Sequence, residues 1–240
     1  MTVAVAEDPA LTRACFGWSA RAWAAPWRRF VRAYGGLRCR TALEVGAGAQ
    51  SSLAPLLLPL AGQVECSAFD PAVLPQIRAR HARLLPAAAA QRIRYTRQDA
   101  RALQGRWDLI VLKSVLGGIH RVHDSTLADV RATLSDITHN HLEADGLLVT
   151  LDNGRTVLEP LLARFGARRN GWRFFRRADF PPAGACYGFG AVSAFSAATR
   201  LGWLGRRIDD ALYGIDCLFM PFMGRAGPCA VFLHVYRRRA

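Results

Sequence analysis

The sequence predicts an α/β fold: a doubly wound parallel sheet with helices on both faces. Three observations carry this. Short apolar runs at 41–45, 64–69, 93–96, 109–113 and 147–151 alternate with helical stretches. The first run leads directly into a turn containing Gly46 and Gly48, and a helix follows. The second run ends on Asp70, about 20 residues beyond that turn, the spacing of a nucleotide-binding βαβ unit.

The elements follow in order. Residues 10–36 read as a helix, because Phe16, Trp18, Trp23, Trp27, Phe30 and Tyr34 fall mostly three and four apart, and Gly35 and Gly36 end it. Further helical stretches lie at about 52–61, 71–84, 124–142 and 156–165. A strand at either 172–176 or 185–189 precedes the last one, 229–236, which reads CAVFLHVY. Between them, 197–219 forms a helix with Leu201, Leu204, Ile208, Leu212, Ile215 and Phe219 on one face. The 240 residues suffice for one sizeable domain, and no repeat or low-complexity linker divides them.

Composition excludes several classes. With 51% hydrophobic and 21% charged residues the chain buries a core, so disorder is not its main state. No run approaches the roughly 20 apolar residues of a transmembrane helix. MTVAVAEDPA has neither the basic nor the apolar region of a secretory signal, so a cytoplasmic protein is expected. The six cysteines are scattered without a C-x-x-C pair, as reduced buried thiols are. Of 32 basic residues only Lys113 is lysine, and the net charge is +14. Residues 1–40 carry a net +5, 41–150 a net +1 and 151–240 a net +8. Such basic flanks meet nucleic acid, anionic lipid or an acidic small molecule, or form a solvated arginine-rich surface.

The strongest constellation is LEVGAGAQ over 43–50, a strand running into a glycine turn, followed by a helix whose amides face the turn. Asp70 at the end of the next strand suits the two ribose hydroxyls of a nucleotide-like ligand; alone it is also a helix cap before Pro71. Together these residues resemble the class I S-adenosylmethionine (SAM)-dependent methyltransferases. The resemblance extends over about 38–152 in order and spacing. It implies SAM as cofactor and a Rossmann-like seven-stranded sheet with an antiparallel last strand. It places Glu44 near the methionine moiety, with Gly46, Ala47 and Gly48 in the turn and Asp70 on the ribose. RQDA over 97–100 matches the adenine-contacting turn, with Asp99 toward the exocyclic amine and Ala100 beside it. WDLIVLKS over 107–114 matches the fourth strand, bringing Lys113 and Ser114 under the methyl group, and LEADGLLV over 142–149 matches the turn into the fifth. From residue 153 on, the chain is more loosely similar to uncharacterised bacterial methyltransferases often encoded near polysaccharide or glycolipid genes. They share a KSVLGG-like stretch, here 113–118, and an Asn after the fifth strand, here Asn153. One departure is Gln50, where the family has a third glycine; it narrows the space beside the amino acid moiety or contacts it. A nicotinamide dinucleotide competes for such a turn, but the third glycine and any Ser/Tyr/Lys hydride-transfer arrangement are missing.

The acceptor pocket is expected at the ends of the fourth and fifth strands. His120 or His123 is a candidate general base for a hydroxyl acceptor, or a satisfied loop histidine. Lys113 binds an acidic substrate, orients the cofactor carboxylate, or forms an ion pair with Glu44 or Asp152. The catalytic set is therefore His120, Lys113 and Asp152. No metal is expected, since His139 and His141 stand on different faces of a helix end. No Asn/Asp-Pro-Pro-Tyr-like loop follows the fourth strand, which sets back base and glutamine amines. These readings converge on methyl transfer to a small-molecule or lipid-linked glycan acceptor, with O-methylation the expected reaction. Two alternatives stand beside it: an RNA or protein methyltransferase using the basic flanks, and a non-catalytic subunit of the same fold. Residues 186–223 form either a substrate cap that touches the inner membrane surface or a helix packed as core.

Overall fold

A computed structural model of the chain describes residues 8–17, 19–123, 125–156, 173–192, 202–220 and 228–238. Of 120–123, 206 and 209 it describes the backbone alone. Seven strands form one sheet in the order β3-β2-β1-β4-β5-β7-β6. They are β1 (Cys39–Val45), β2 (Ala61–Ala68), β3 (Ile93–Arg97), β4 (Trp107–Lys113), β5 (Leu142–Asn153), β6 (Ala185–Phe189) and β7 (Val231–Arg237). The first five run parallel, and β7 lies antiparallel between β5 and β6. The expected doubly wound sheet with an antiparallel last strand is thus present. Strand order reverses between β1 and β4, so their C-terminal ends border a crevice.

Side chains alternate across each strand and build two cores. On one face Leu109, Val111, Leu147, Val149, Leu151, Val231 and Leu233 meet an aromatic cluster from α1 (Pro9–Phe16) and α2 (Ala20–Ala33). Phe16, Trp23, Trp27 and Phe30 are all wholly buried there. The periodicity at 10–36 was therefore a core stripe, but it belongs to two helices. Gly17 and Ser19 both adopt positive φ, 73° and 47°, and break the run between them. A Cβ on Gly17 would stand 2.9 Å from the Gln50 carbonyl oxygen, so α1 can cross the glycine turn only with glycine there. On the other face Leu43, Val45, Ile110, Leu112 and Leu148 pack with α6 (Val115–His123) and α7 (Leu127–Asp136), together with Phe175 and Phe180.

Some boundaries differ from the sequence reading. The helix after the glycine turn is only α3 (Ala54–Leu57), because β2 begins at Ala61 rather than 64. α4 (Leu74–Leu84) and α5 (Ala87–Ala90) then lead to β3. β5 starts at Leu142, five residues early, and takes up Asp145 (φ 61°) and Gly146 through a register shift against β4. Of the two candidates for the strand before the last, 185–189 forms it. The helix expected at 156–165 lies almost wholly outside the described residues.

The late helix, α8 (Gly202–Phe219), does not bury its apolar stripe. Leu204, Ile215 and Phe219 are 46%, 40% and 58% exposed, and Trp203 and Leu218 are 68% and 71% exposed. Its buried anchor is Asp216, whose Oδ1 accepts the amides of Ala191 (2.6 Å) and Val192 (2.9 Å). The apolar stripe therefore does not pack as core along its length: among the described residues the helix is held by Asp216 and by Tyr213, whose ring lies 5.1 Å from that of Phe189, while Leu204, Ile215 and Phe219 face outward. No described helix is long and apolar enough to cross a membrane.

Trp27 joins the two N-terminal helices to the sheet, with ring centroids 6.5 Å from Phe16 and 5.2 Å from Phe30. Trp27→Ala should lower stability by about 3–5 kcal/mol, since the cavity cannot close around so large a loss. Urea unfolding followed by far-UV circular dichroism checks this.

Candidate active site

The site grows from the end of β1. Gly46 has φ 77°, and a Cβ there would stand 2.5 Å from the Val115 side chain, so any other residue would strain the turn and displace Val115 at the start of α6. The Ala47 amide donates to the Ser67 carbonyl at 2.8 Å, which ties the turn to β2. Gly48 and Ser51 exchange both backbone hydrogen bonds, at 2.8 and 3.1 Å, closing the loop with Gln50 exposed at its tip. The Ser52 amide donates to the Cys15 carbonyl at 3.0 Å, so α1 is fastened over the turn.

Glu44 lies under this loop, wholly buried. One carboxylate oxygen accepts the Leu53 amide at 2.6 Å. The other accepts the Ser52 hydroxyl at 2.5 Å and the Ala54 amide at 2.9 Å. Burial raises its pKa, and these donors oppose the rise. Glu44 thus caps α3 and shapes the wall of the turn.

Lys113 ends β4 on the same face of the sheet. Its Nζ donates to Ser51 Oγ at 3.0 Å and lies 4.6 Å from the centre of the Trp23 ring. Burial pushes its pKa down to about 7; Glu44 pulls it back up and Arg80 pushes it further down. Of the two ion-pair partners expected for Lys113, Glu44 acts on it. Asp152 faces the other way: Lys113 pairs with Leu151 in the sheet, so the next residue points to the opposite face. The sequence reading had no signal for Arg80. This α4 residue donates from Nη1 to the Ala49 carbonyl at 2.6 Å, while its Nε and Nη2 are buried without a partner among the described residues.

The remaining expected cofactor residues line the same edge. Asp70 follows β2, is exposed, and caps the short turn Pro71–Val73 by accepting the Ala72 amide at 2.9 Å. Asp99 follows β3 and accepts the Arg101 amide at 3.0 Å and an Arg101 guanidinium N–H at 3.1 Å. Ala100 is buried in the core of the α6–α7 face. Ser114 has φ 58°, a strained value for a residue bearing a side chain. Its amide donates to the Leu151 carbonyl at 2.7 Å, and its hydroxyl is buried without a partner among the described residues.

Asp152 is wholly buried on the α6–α7 face. No donor among the described residues forms a well-aligned hydrogen bond with either oxygen. Burial raises its pKa to about 7 against the pull of the Thr150 hydroxyl and the Gly117 and Leu116 amides. His120 and His123 belong to α6, but their side chains lie outside the described residues. The catalytic set thus divides between two faces, with Lys113 on one and Asp152 and α6 on the other.

No protein-family model matches the sequence, and no curated protein matches it significantly. Solved structures match the fold. The N-methyltransferase NodS from Bradyrhizobium japonicum WM9, in complex with S-adenosyl-L-homocysteine (SAH), aligns with a TM-score of 0.57 at 12% identity over 100% of this chain and 97% of that one. The chain has the class I methyltransferase fold. A sarcosine dimethylglycine methyltransferase, so described from the Galdieria sulphuraria structure, aligns at 0.54 and 12% identity over 91% and 86% of the two chains. Magnesium protoporphyrin IX methyltransferase from Synechocystis PCC 6803, with bound SAH, aligns at 0.50 and 18% identity over 67% and 72%. In this class I fold the edge built above is the crevice at the strand reversal, where open α/β sheets bind ligands.

Asp152 makes a pH-dependent contribution. Between its ordinary value of 3.8 and about 7, the folded chain holds a proton that the unfolded chain has released. Stability from this group is therefore full below the lower value and is lost as pH rises through about 7. Asp152→Asn should match the parent at about pH 4 and exceed it by on the order of 2–4 kcal/mol at about pH 8. Urea unfolding at the two pH values measures the difference.

Proposed function

We propose that the chain binds S-adenosylmethionine at this edge and transfers its methyl group to an oxygen of a small-molecule or lipid-linked glycan acceptor. The carrying observation is the sharp positive-φ turn at Gly46, beside which lie buried donors that the described chain leaves unused: Arg80 Nε and Nη2 and the Ser114 hydroxyl. Such groups cost stability unless a ligand or water meets them. They suit the carboxylate and amine of an amino acid moiety. The SAH bound in two proteins of the same fold supports the choice of cofactor.

When bound, the sulfonium supplies an activated methyl group. The chain's part is to hold and orient. Asp70 keeps one oxygen on the Ala72 amide and offers the other to ribose hydroxyls. Asp99 and Ala100 border the adenine place, with Gly46, Ala47, Gly48 and Gln50 forming the turn beside the methionine moiety. Glu44 acts by fixing that turn. Lys113, with a pKa near neutrality and its Nζ on Ser51, orients the cofactor carboxylate. His120 takes the proton from the acceptor hydroxyl. Asp152 acts through α6, whose first amides it faces, and positions the helix that carries His120. The exposed apolar side of α8, with Trp203, Leu218 and Phe219, supports a cap over a lipid-linked acceptor or a peripheral membrane contact.

Two measurements test this reading. Calorimetric titration with SAH should show binding, and Asp70→Ala should weaken it by about 1.5–3 kcal/mol, the loss of a charge-assisted hydrogen bond. Unchanged affinity would remove Asp70 from the ribose. Methyl transfer from radiolabelled SAM into fractionated lysate should label lipid or small molecules, and His120→Ala should reduce turnover about 100-fold or more at unchanged SAH affinity. Label confined to RNA or protein would replace the acceptor assignment.

A further inference from the structure

The outer edge of the sheet carries a cavity on strands that the cofactor crevice does not use. β7 alternates its side chains between the two faces. Val231, Leu233 and Val235 enter the core beneath α1 and α2, so Phe232, His234 and Tyr236 turn to the opposite face. In the sheet His234 stands between Thr150 of β5 and Cys186 of β6. A cavity of ≈ 830 Å³ opens beside β6, with Phe180, Pro181, Pro182, Met220, Phe232 and His234 among its walls. That volume lies within the range of small-molecule sites.

His234 is the unusual group in that wall. It is 2% exposed, and neither ring nitrogen has a hydrogen-bond partner among the described residues. Its ring centroid lies 4.4 Å from that of Phe180 and 5.9 Å from that of Phe232, with interplanar angles of 31° and 33°. A buried polar group left unmet costs stability unless a ligand or water completes it. A single water takes up only about 30 Å³ and needs several polar partners, which the two phenyl rings cannot supply. A larger molecule suits the space better.

The chemistry of the wall defines that molecule. Burial, helped by the nearby Arg177, lowers the imidazole's pKa to about 4, so at neutral pH the ring is uncharged. It then offers one N–H and one lone pair. Such a ring does not call for an anion. It suits a hydroxyl, which can both donate and accept. A phenolic hydroxyl, being more acidic than an aliphatic one, donates more strongly to the imidazole lone pair. The two phenyl rings and the Met220 thioether suit an aromatic body, through offset stacking and sulfur–ring contact.

We infer that this cavity is a binding site for an uncharged phenol, whose ring lies against Phe180 and Phe232 and whose hydroxyl meets a ring nitrogen of His234. The site is built on β6 and β7, away from the reversal between β1 and β4, so its occupancy does not depend on the proposed methyl transfer.

The test titrates the full chain with p-cresol and, separately, with toluene, which lacks only the hydroxyl. Binding is read from the broadening of the ligand's NMR signals. p-Cresol should bind about fivefold more tightly than toluene, the gain from one hydrogen bond between uncharged groups. His234→Phe keeps a ring and removes both nitrogens; it should weaken p-cresol about fivefold and leave toluene unchanged. Gly184→Phe serves if that variant does not fold. A Cβ at Gly184 meets only the Val235 carbonyl oxygen, at 3.5 Å, so a side chain is tolerated there and narrows the cavity that Gly184 lines. Both ligands should then weaken several-fold. No binding of p-cresol, toluene binding as tightly as p-cresol to the parent chain, or unchanged p-cresol affinity in either folded variant would overturn the inference.

Discussion

The Glu44 carboxylate, wholly out of water, accepts the Ser52 hydroxyl and the amides of Leu53 and Ala54, and the loop after β1 takes its shape from those three bonds. Burying a lone carboxylate costs several kcal/mol, and hydrogen bonds to a charged group return about 1.5–3 kcal/mol each. The loop cannot relax without surrendering that return. Gly46 must therefore turn sharply above Glu44, Lys113 must stop where its ammonium meets Ser51, and Arg80 must reach across to Ala49. Burial raises the pKa of Glu44 and lowers that of Lys113, and Glu44 draws the ammonium back toward its charged form while Arg80 opposes it.

From that anchor the sheet separates two kinds of chemistry. The face with Glu44, Lys113 and Arg80 is covered by α1 and α2, and Trp23 closes it over Lys113. The opposite face holds Asp152 and the first turn of α6. The two faces meet at the tips of β4 and β5, beside Ser114. Its positive φ and its buried hydroxyl place backbone strain where the two would join.

The sequence made the sheet legible because alternating strands and helices leave few topologies open. Gly46 and Asp70 were legible because each answers a local demand, a positive φ and a strand-end acid. What could not be read depends on distant neighbours. The break at Gly17 and Ser19 exists because α1 must pass Gln50, which periodicity does not register. The stripe on α8 was seen correctly as a stripe, but a stripe does not name its neighbour, and the buried group proved to be Asp216. Lys113 and Asp152 seemed partners because both end strands; their register, 113 beside 151, sends them to opposite faces. Arg80 was hidden among 31 arginines, since only the fold says which of them reaches the turn after β1.

The most direct measurement is hydrogen exchange of the full chain with and without SAH, read peptide by peptide. If the turn anchored by Glu44 holds the cofactor, protection should rise together over 44–54, 68–73 and 97–104, and β6 at 185–189 should not change. Unchanged exchange at 44–54, or protection confined to the β6 edge, would contradict the assignment of the β1 turn as the cofactor site.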